Sequence, residues 1–200
     1  MGIIPSIQPT HATSDMTYAL ARLGTERIDK SAYRMRSLFP SSASRENGYL
    51  GPVLGSDFPV EPPNPFHGMY AAVTRLNPAT GTSPSGPSGW HTEEALSIEQ
   101  AFLGFTRNAA YGWKKEDQAG AIEAGKWADW LVIDKDVLAV TGKELRDVVV
   151  KETWVGGKRV WPLPSGKEVR AQGEESLMDL IEEAWGFLKS LGKGQVREDL

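Results

Sequence analysis

The 200-residue sequence contains no cysteine. Disulfides, thiolate metal sites and a cysteine nucleophile are thereby excluded. Histidine is scarce: His11, His67 and His91 are the whole supply, so a three-histidine zinc site would consume every one of them. Neither charge is in large excess, with 22 Lys+Arg against 26 Asp+Glu and a formal net charge of −4. No basic face for nucleic acid and no long acidic tail is indicated. No run approaches the ~18 apolar residues of a membrane span. No basic start followed by an apolar stretch marks a secretion signal, so the expected location is cytoplasmic. Walker, GxGxxG, GxSxG, HExxH and CxxC motifs are absent, as are internal repeats. What remains is the composition of an ordinary globular chain, 40% hydrophobic and 24% charged, long enough for one sizeable domain.

The stretch that organises the rest is Val53-Leu54-Gly55-Ser56-Asp57-Phe58-Pro59-Val60-Glu61. A short apolar run ends in a small-residue turn that carries one carboxylate, and Pro59 then stops regular pairing. A buried strand delivers an acid to the rim of a pocket in this way, and in a (β/α) barrel the strand's C-terminal end is the usual catalytic position. The local alternative is an Asx-type turn in which Asp57 bonds its own backbone.

Upstream, residues 2–8 read as a buried strand, weakened by Pro5. Residues 9–16 (PTHATSDM) read as a polar segment too rich in Thr and Ser for a core. Asp15 is placed there to cap a helix over residues 16–23, with Met16, Leu20 and Leu23 inward and Gly24 ending it. A second helix is expected over about residues 30–39, with Ala32, Met35 and Phe39 inward. Asn64 and Pro65 start a third, with Phe66, Met69 and Val73 on its apolar face. His67 is expected to face solvent. Residues 77–89 read as a flexible loop without packing signal, and His91 after it as a surface residue. Ser97 and Gln100 form a capping box before the apolar stripe Ile98, Ala101, Phe102, Phe105 and Ala109. Strands follow over residues 130–134, 148–155 and 158–161, the last two joined across Gly156-Gly157 in a two-residue hairpin. Residues 176–191 read as an amphipathic helix with Leu177, Leu180, Ile181, Ala184, Trp185 and Leu188 on one stripe.

Several of these stretches together resemble one family. Residues 6–16 (SIQPTHATSDM) are similar to the seventh-strand segment of amidohydrolase family 3, the group that includes N-substituted formamide deformylases, and residues 54–61 (LGSDFPVE) to its eighth. Residues 120–134 (GAIEAGKWADWLVID) look like the passage from barrel to small β-sandwich, and residues 153–160 (TWVGGKRV) like that sandwich's closing hairpin. The resemblance implies an α/β fold: the last strands and helices of a (β/α)8 TIM-type barrel, part of a small β-sandwich, and a C-terminal helix. The implied division is 1–115 for the barrel part, 116–163 for the sandwich segment and 164–200 for a linker and helical tail. The implied chemistry is metal-dependent hydrolysis of C–N bonds in small, non-peptide amides, with a divalent metal, zinc, in the complete enzyme. Asp57 matches the eighth-strand aspartate that sits at the metal and takes a proton from its water. His11 and Asp15 then face the pocket and orient substrate.

The family's paired histidines of the first strand, its mid-barrel bridging residue and its strand-five and strand-six histidines have no counterpart here. A barrel takes about 250 residues, and two strands cannot close one. The expectation is therefore a C-terminal portion, inactive and without a complete metal site on its own. Its partners would be a missing N-terminal part or further copies of itself, with no nucleic acid and no membrane. The alternative is a non-catalytic remnant that serves as a binding or assembly module. A Ser14 nucleophile with His11 as base fails for want of an oxyanion site.

Overall fold

The computed structural model describes residues 3–40 and 49–162. The expected helix at 176–191 lies outside the described residues. The described part is mixed α/β and contains a parallel strand pair followed by an antiparallel sheet.

Strand β1 (Ser6–Ile7) runs parallel to β2 (Val53–Leu54), with Ser6 beside Val53 and Ile7 beside Leu54. The expected strand over residues 2–8 is thus cut to two paired residues. Between β1 and β2 lie α1 (Pro9–Asp15), α2 (Ala19–Leu23), α3 (Thr25–Ser31) and a 3₁₀ turn at Arg36–Leu38. Two readings need correction here. Residues 9–15 are a helix with Pro9, Thr10, Ala12 and Thr13 buried. The Thr13 hydroxyl donates to Thr10 O at 3.0 Å, within the helix itself, whereas the Thr10 hydroxyl has no partner among the described residues. Asp15 therefore ends a helix instead of capping the next, and the inward residues of the following segment are Met16 and Ala19, while Leu20 and Leu23 are exposed. The second expected helix is shifted: α3 ends at Ser31, Ala32 is already extended, and Met35 is nonetheless buried.

Helix α4 (Pro65–Thr74) forms the middle of the core. Asn64 accepts the Phe66 amide at 3.0 Å and Pro65 fills the first turn, where no amide partner is needed. Phe66, Met69, Tyr70, Ala71 and Ala72 are buried; His67 beside them is half-buried instead of solvent-facing. The helix packs on α1 and on a 3₁₀ turn at Gly142–Asp147, which contributes Leu145, buried together with Val137 and Val148.

The segment 77–89 is a series of closed turns. Asn77 Oδ1 accepts from the amides of Ala79 and Thr80, and Ser83 pairs with Gly86. The Ser97–Gln100 capping box is present in full. Its helix, however, breaks at Thr106 into α5 (Ile98–Phe105) and α6 (Arg107–Gly112). Gly104 has no side chain because Leu54 of β2 lies against it: an added Cβ would meet Leu54 Cγ at 2.5 Å.

Strands β3 (Trp130–Ile133), β4 (Val150–Val155) and β5 (Lys158–Trp161) form the antiparallel sheet. Gly156 and Gly157 take positive φ at the β4–β5 turn, as a two-residue hairpin demands. Trp130 and Trp154 stack across β3 and β4 at 5.4 Å. Much of this sheet's apolar surface faces outward, including Leu131, Val132, Val155, Val160 and Trp161.

Candidate functional site

Because β1 and β2 are parallel neighbours, both release the chain at the same end. After β1 the chain turns through Gln8 into α1, whose first turn carries His11; the His11 amide donates to Gln8 O at 3.1 Å. After β2 come Gly55, Ser56 and Asp57. Asp57 adopts a left-handed conformation with φ 55°, which Asp tolerates better than most residues. It opens a turn closed by the Val60 amide on Asp57 O at 2.9 Å. The side-chain bond in this turn comes from Ser56, whose hydroxyl accepts the Phe58 amide at 3.3 Å. The expected Asx alternative at Asp57 is replaced by this serine turn, and Asp57 lies exposed beyond the end of β2.

The far end of the Asp57 loop is tied back to α1: Ser14 Oγ donates to Glu61 Oε1 at 2.7 Å. Ser14 is thus a bridge between the two strand-end segments, with no contact to His11 of the kind a nucleophile requires. The His11 ring is partly buried, and its Nε2 has no hydrogen-bond partner among the described residues. Asp15 sits at the last turn of α1 and is gripped by two phenols. Tyr33 Oη donates to Asp15 Oδ2 at 2.7 Å, and Tyr18 Oη donates to Asp15 Oδ1. Burial, then the bond to Asp15, raises the Tyr33 hydroxyl well above its usual range; the bond to Asp15 raises that of exposed Tyr18. Both phenols stay protonated donors at neutral pH.

Three residues that carry no distinguishing pattern in the sequence, Arg75, Trp90 and Tyr33, stand behind Asp15. Arg75 follows α4 and is 1% exposed. Its Nε donates to Trp90 O at 2.9 Å and its Nη1 to Tyr33 O at 3.4 Å, while the guanidinium stands 5.5 Å from the Trp90 ring centroid. Burial lowers its pKa to about 10, with Glu93 and Glu94 opposing the shift. Tyr33 meets Trp90 edge-on at 5.5 Å. An arginine closing a helix ordinarily reads as a solvated cation near the helix C-terminus, so the sequence carried no signal of its burial.

His91 is half-buried, edge-on to Trp90 at 4.7 Å, with Nδ1 2.7 Å from Glu93 Oε1; the expected surface residue is part of an aromatic cluster. Among the described residues no three His, Asp or Glu side chains gather so as to hold a metal ion. The donor set therefore does not fit a metal by itself.

The model of the amidohydrolase family matches residues 1–161. Similar proteins include LONG AFTER FAR-RED 3 of Arabidopsis thaliana, 31% identical over 160 residues, which cover 80% of this chain and 25% of that protein. The putative amidohydrolase YtcJ of Bacillus subtilis (strain 168) is 30% identical over 161 residues, 80% of this chain and 28% of the relative. The N-substituted formamide deformylase of Arthrobacter pascens is 33% identical over 120 residues, 60% and 21% of the two chains. An uncharacterised metal-dependent hydrolase from Pyrococcus horikoshii OT3 superposes with a TM-score of 0.54 at 26% identity, covering 70% of this chain and 26% of its own. The chain thus spans about a quarter of the length of the curated relatives it matches. With the family model matching nearly all the described residues, the chain belongs to the amidohydrolase family.

Proposed function

We propose that this sequence supplies the final strand–loop units of a metal-dependent amidohydrolase acting on C–N bonds of small, non-peptide amides of the formamide type. The observation that carries this reading is the parallel pair β1/β2, from one end of which leave both the His11 segment and the Asp57 turn. That is the placement of catalytic residues in a (β/α)8 barrel. The deformylase relative supports the substrate class. In this reading residues 1–115 belong to the barrel and 116–163 to a β-sandwich segment, while 164–200 lie outside the described residues.

The cofactor of such an assembly would be a divalent metal, zinc. A zinc site needs about four ligands, so Asp57 would be one contribution and the rest would come from outside the described residues. What Asp57 can do follows from its position: an exposed carboxylate at a strand end can accept the proton of an attacking water and pass it to the leaving nitrogen. His11, with an unpartnered ring nitrogen, and Asp15, held by two phenols, would orient the substrate.

The test is hydrolysis of N-substituted formamides by the active form of the protein. Asp57→Asn is expected to lower kcat by about 10²–10⁴-fold with an unchanged melting temperature, since the side chain is exposed. Retention of full activity in Asp57→Asn would overturn the assignment. A second reading, an assembly module without catalysis, is favoured by the outward apolar residues of the β3–β5 sheet. It calls for a stable oligomer that hydrolyses no amide even with added metal.

A further inference from the structure

Three non-glycine residues in the left-handed conformation, Tyr33 (φ 54°), Arg75 (φ 57°) and His91 (φ 51°), belong to one cluster. Such conformations cost of order 1 kcal/mol each and persist only where the surroundings over-determine them. Here the surroundings are mutual. The backbones of residues 75 and 90 are joined by the Trp90 amide on Arg75 O at 3.0 Å. The Arg75 side chain returns to Trp90 O and reaches Tyr33 O. The Trp90 ring touches those of Tyr33 and His91 edge-on. The guanidinium is fully buried, yet its Nη2 has no partner among the described residues. A plain structural plug would not need a buried cation with an idle donor, because an apolar side chain fills such a space at no desolvation cost. What the cluster fixes is the backbone of Tyr33, and from there the ring projects to Asp15.

We infer that Tyr33 is a positioning residue, braced by Arg75 and Trp90, that aims the Asp15 carboxylate at substrate. This rests on the proposed hydrolase reading, in which Asp15 orients the substrate. A carboxylate is an acceptor only. With one oxygen taken by Tyr18 and the other by Tyr33, its rotation is blocked and its remaining lone pairs point in fixed directions. The group it suits is an N–H or ammonium of the substrate, bound in a charge-assisted hydrogen bond. Tyr33 itself touches no reacting atom.

Two measurements decide the matter. In the 200-residue chain, NMR should show a slowly exchanging Tyr33 hydroxyl proton that Asp15→Asn and Arg75→Lys each weaken or abolish. In the active form of the protein, Tyr33→Phe keeps the ring and removes only the hydroxyl. It should raise KM for N-substituted formamides about tenfold, the order of one lost hydrogen bond to a charged group, with kcat within about twofold. A loss of melting temperature with unchanged KM would make Tyr33 merely structural and overturn the inference. So would a hydroxyl proton indifferent to Asp15→Asn. If the wild-type protein hydrolyses no such amide, the hydrolase reading fails and the substrate role falls with it, while the NMR result still decides whether Tyr33 holds Asp15.

Discussion

The parallel pair β1/β2 and the antiparallel sheet β3–β5 are built from similar residues but have different surroundings. Leu54 of β2 is 3% exposed, clasped by Gly104, whereas Leu131 of β3 is 45% exposed. The first region is covered by helices and spends its polar residues at one end, in contact with each other across α1 and the Asp57 turn. The second satisfies its backbone through hairpin pairing and leaves apolar side chains outward. Strand formation and burial are thus separable: pairing needs only suitable turns and backbone, while burial needs a neighbouring layer. The proposed site lies in the region where both conditions are met, which suits the positioning of reactive groups on rigid elements.

The most forceful way to break this contrast is truncation on both sides of it. Leu54→Ala should cost about 2–5 kcal/mol, the range for buried leucine, and Leu131→Ala about 1 kcal/mol or less. Denaturant unfolding measures both, and equal losses would abolish the distinction between the regions. A smaller effect is expected for Arg75→Met. The change relieves the cost of a buried cation but strands the carbonyl of Trp90, while Tyr33 O keeps the Met35 amide at 3.1 Å. A net loss of about 2 kcal/mol follows, the desolvation cost of an unpaired group, and a gain in stability would show the cluster to be dispensable.

The smallest effect concerns pH. Burial tends to raise the Glu94 pKa, but bonds from the Ser37 hydroxyl and amide and from Arg34 outweigh it, leaving the group below the ordinary glutamate range. The folded pKa is depressed, so the stabilisation is present above the unfolded pKa and is lost as pH falls through the folded one. Melting curves of wild type and Glu94→Gln should therefore differ near neutrality and converge in acid. A gap that persists unchanged in acid would assign the difference to packing instead of charge.

Where the chain's own local chemistry dictates structure, the sequence was legible. Asn64-Pro65, the Ser97–Gln100 box and Gly156-Gly157 each act within a few residues, and the expected elements formed there. The Asp57 turn was also legible as a strand end bearing an acid. The misreadings have two causes: side-chain hydrogen bonds made within a helix, and contacts between residues far apart in the sequence. Thr10 and Thr13 looked too polar for a core, yet Thr13 satisfies its hydroxyl inside α1. The stripe from Ile98 to Ala109 suggested one helix, but the chain breaks at Thr106, whose hydroxyl donates back to Phe102 O at 2.8 Å. Arg75, Tyr33 and Trp90 meet across large sequence separations, and no local pattern announces such a meeting.

In the proposed function Asp57 belongs to a metal site that the described residues do not complete. The direct measurement is the zinc stoichiometry and affinity of the 200-residue chain, by equilibrium dialysis with metal analysis. Weak or negligible binding, unaffected by Asp57→Asn, is the expected result, since no three ligating side chains gather among the described residues. One tightly held zinc per monomer, lost in Asp57→Asn, would contradict it and show a site already complete within this chain.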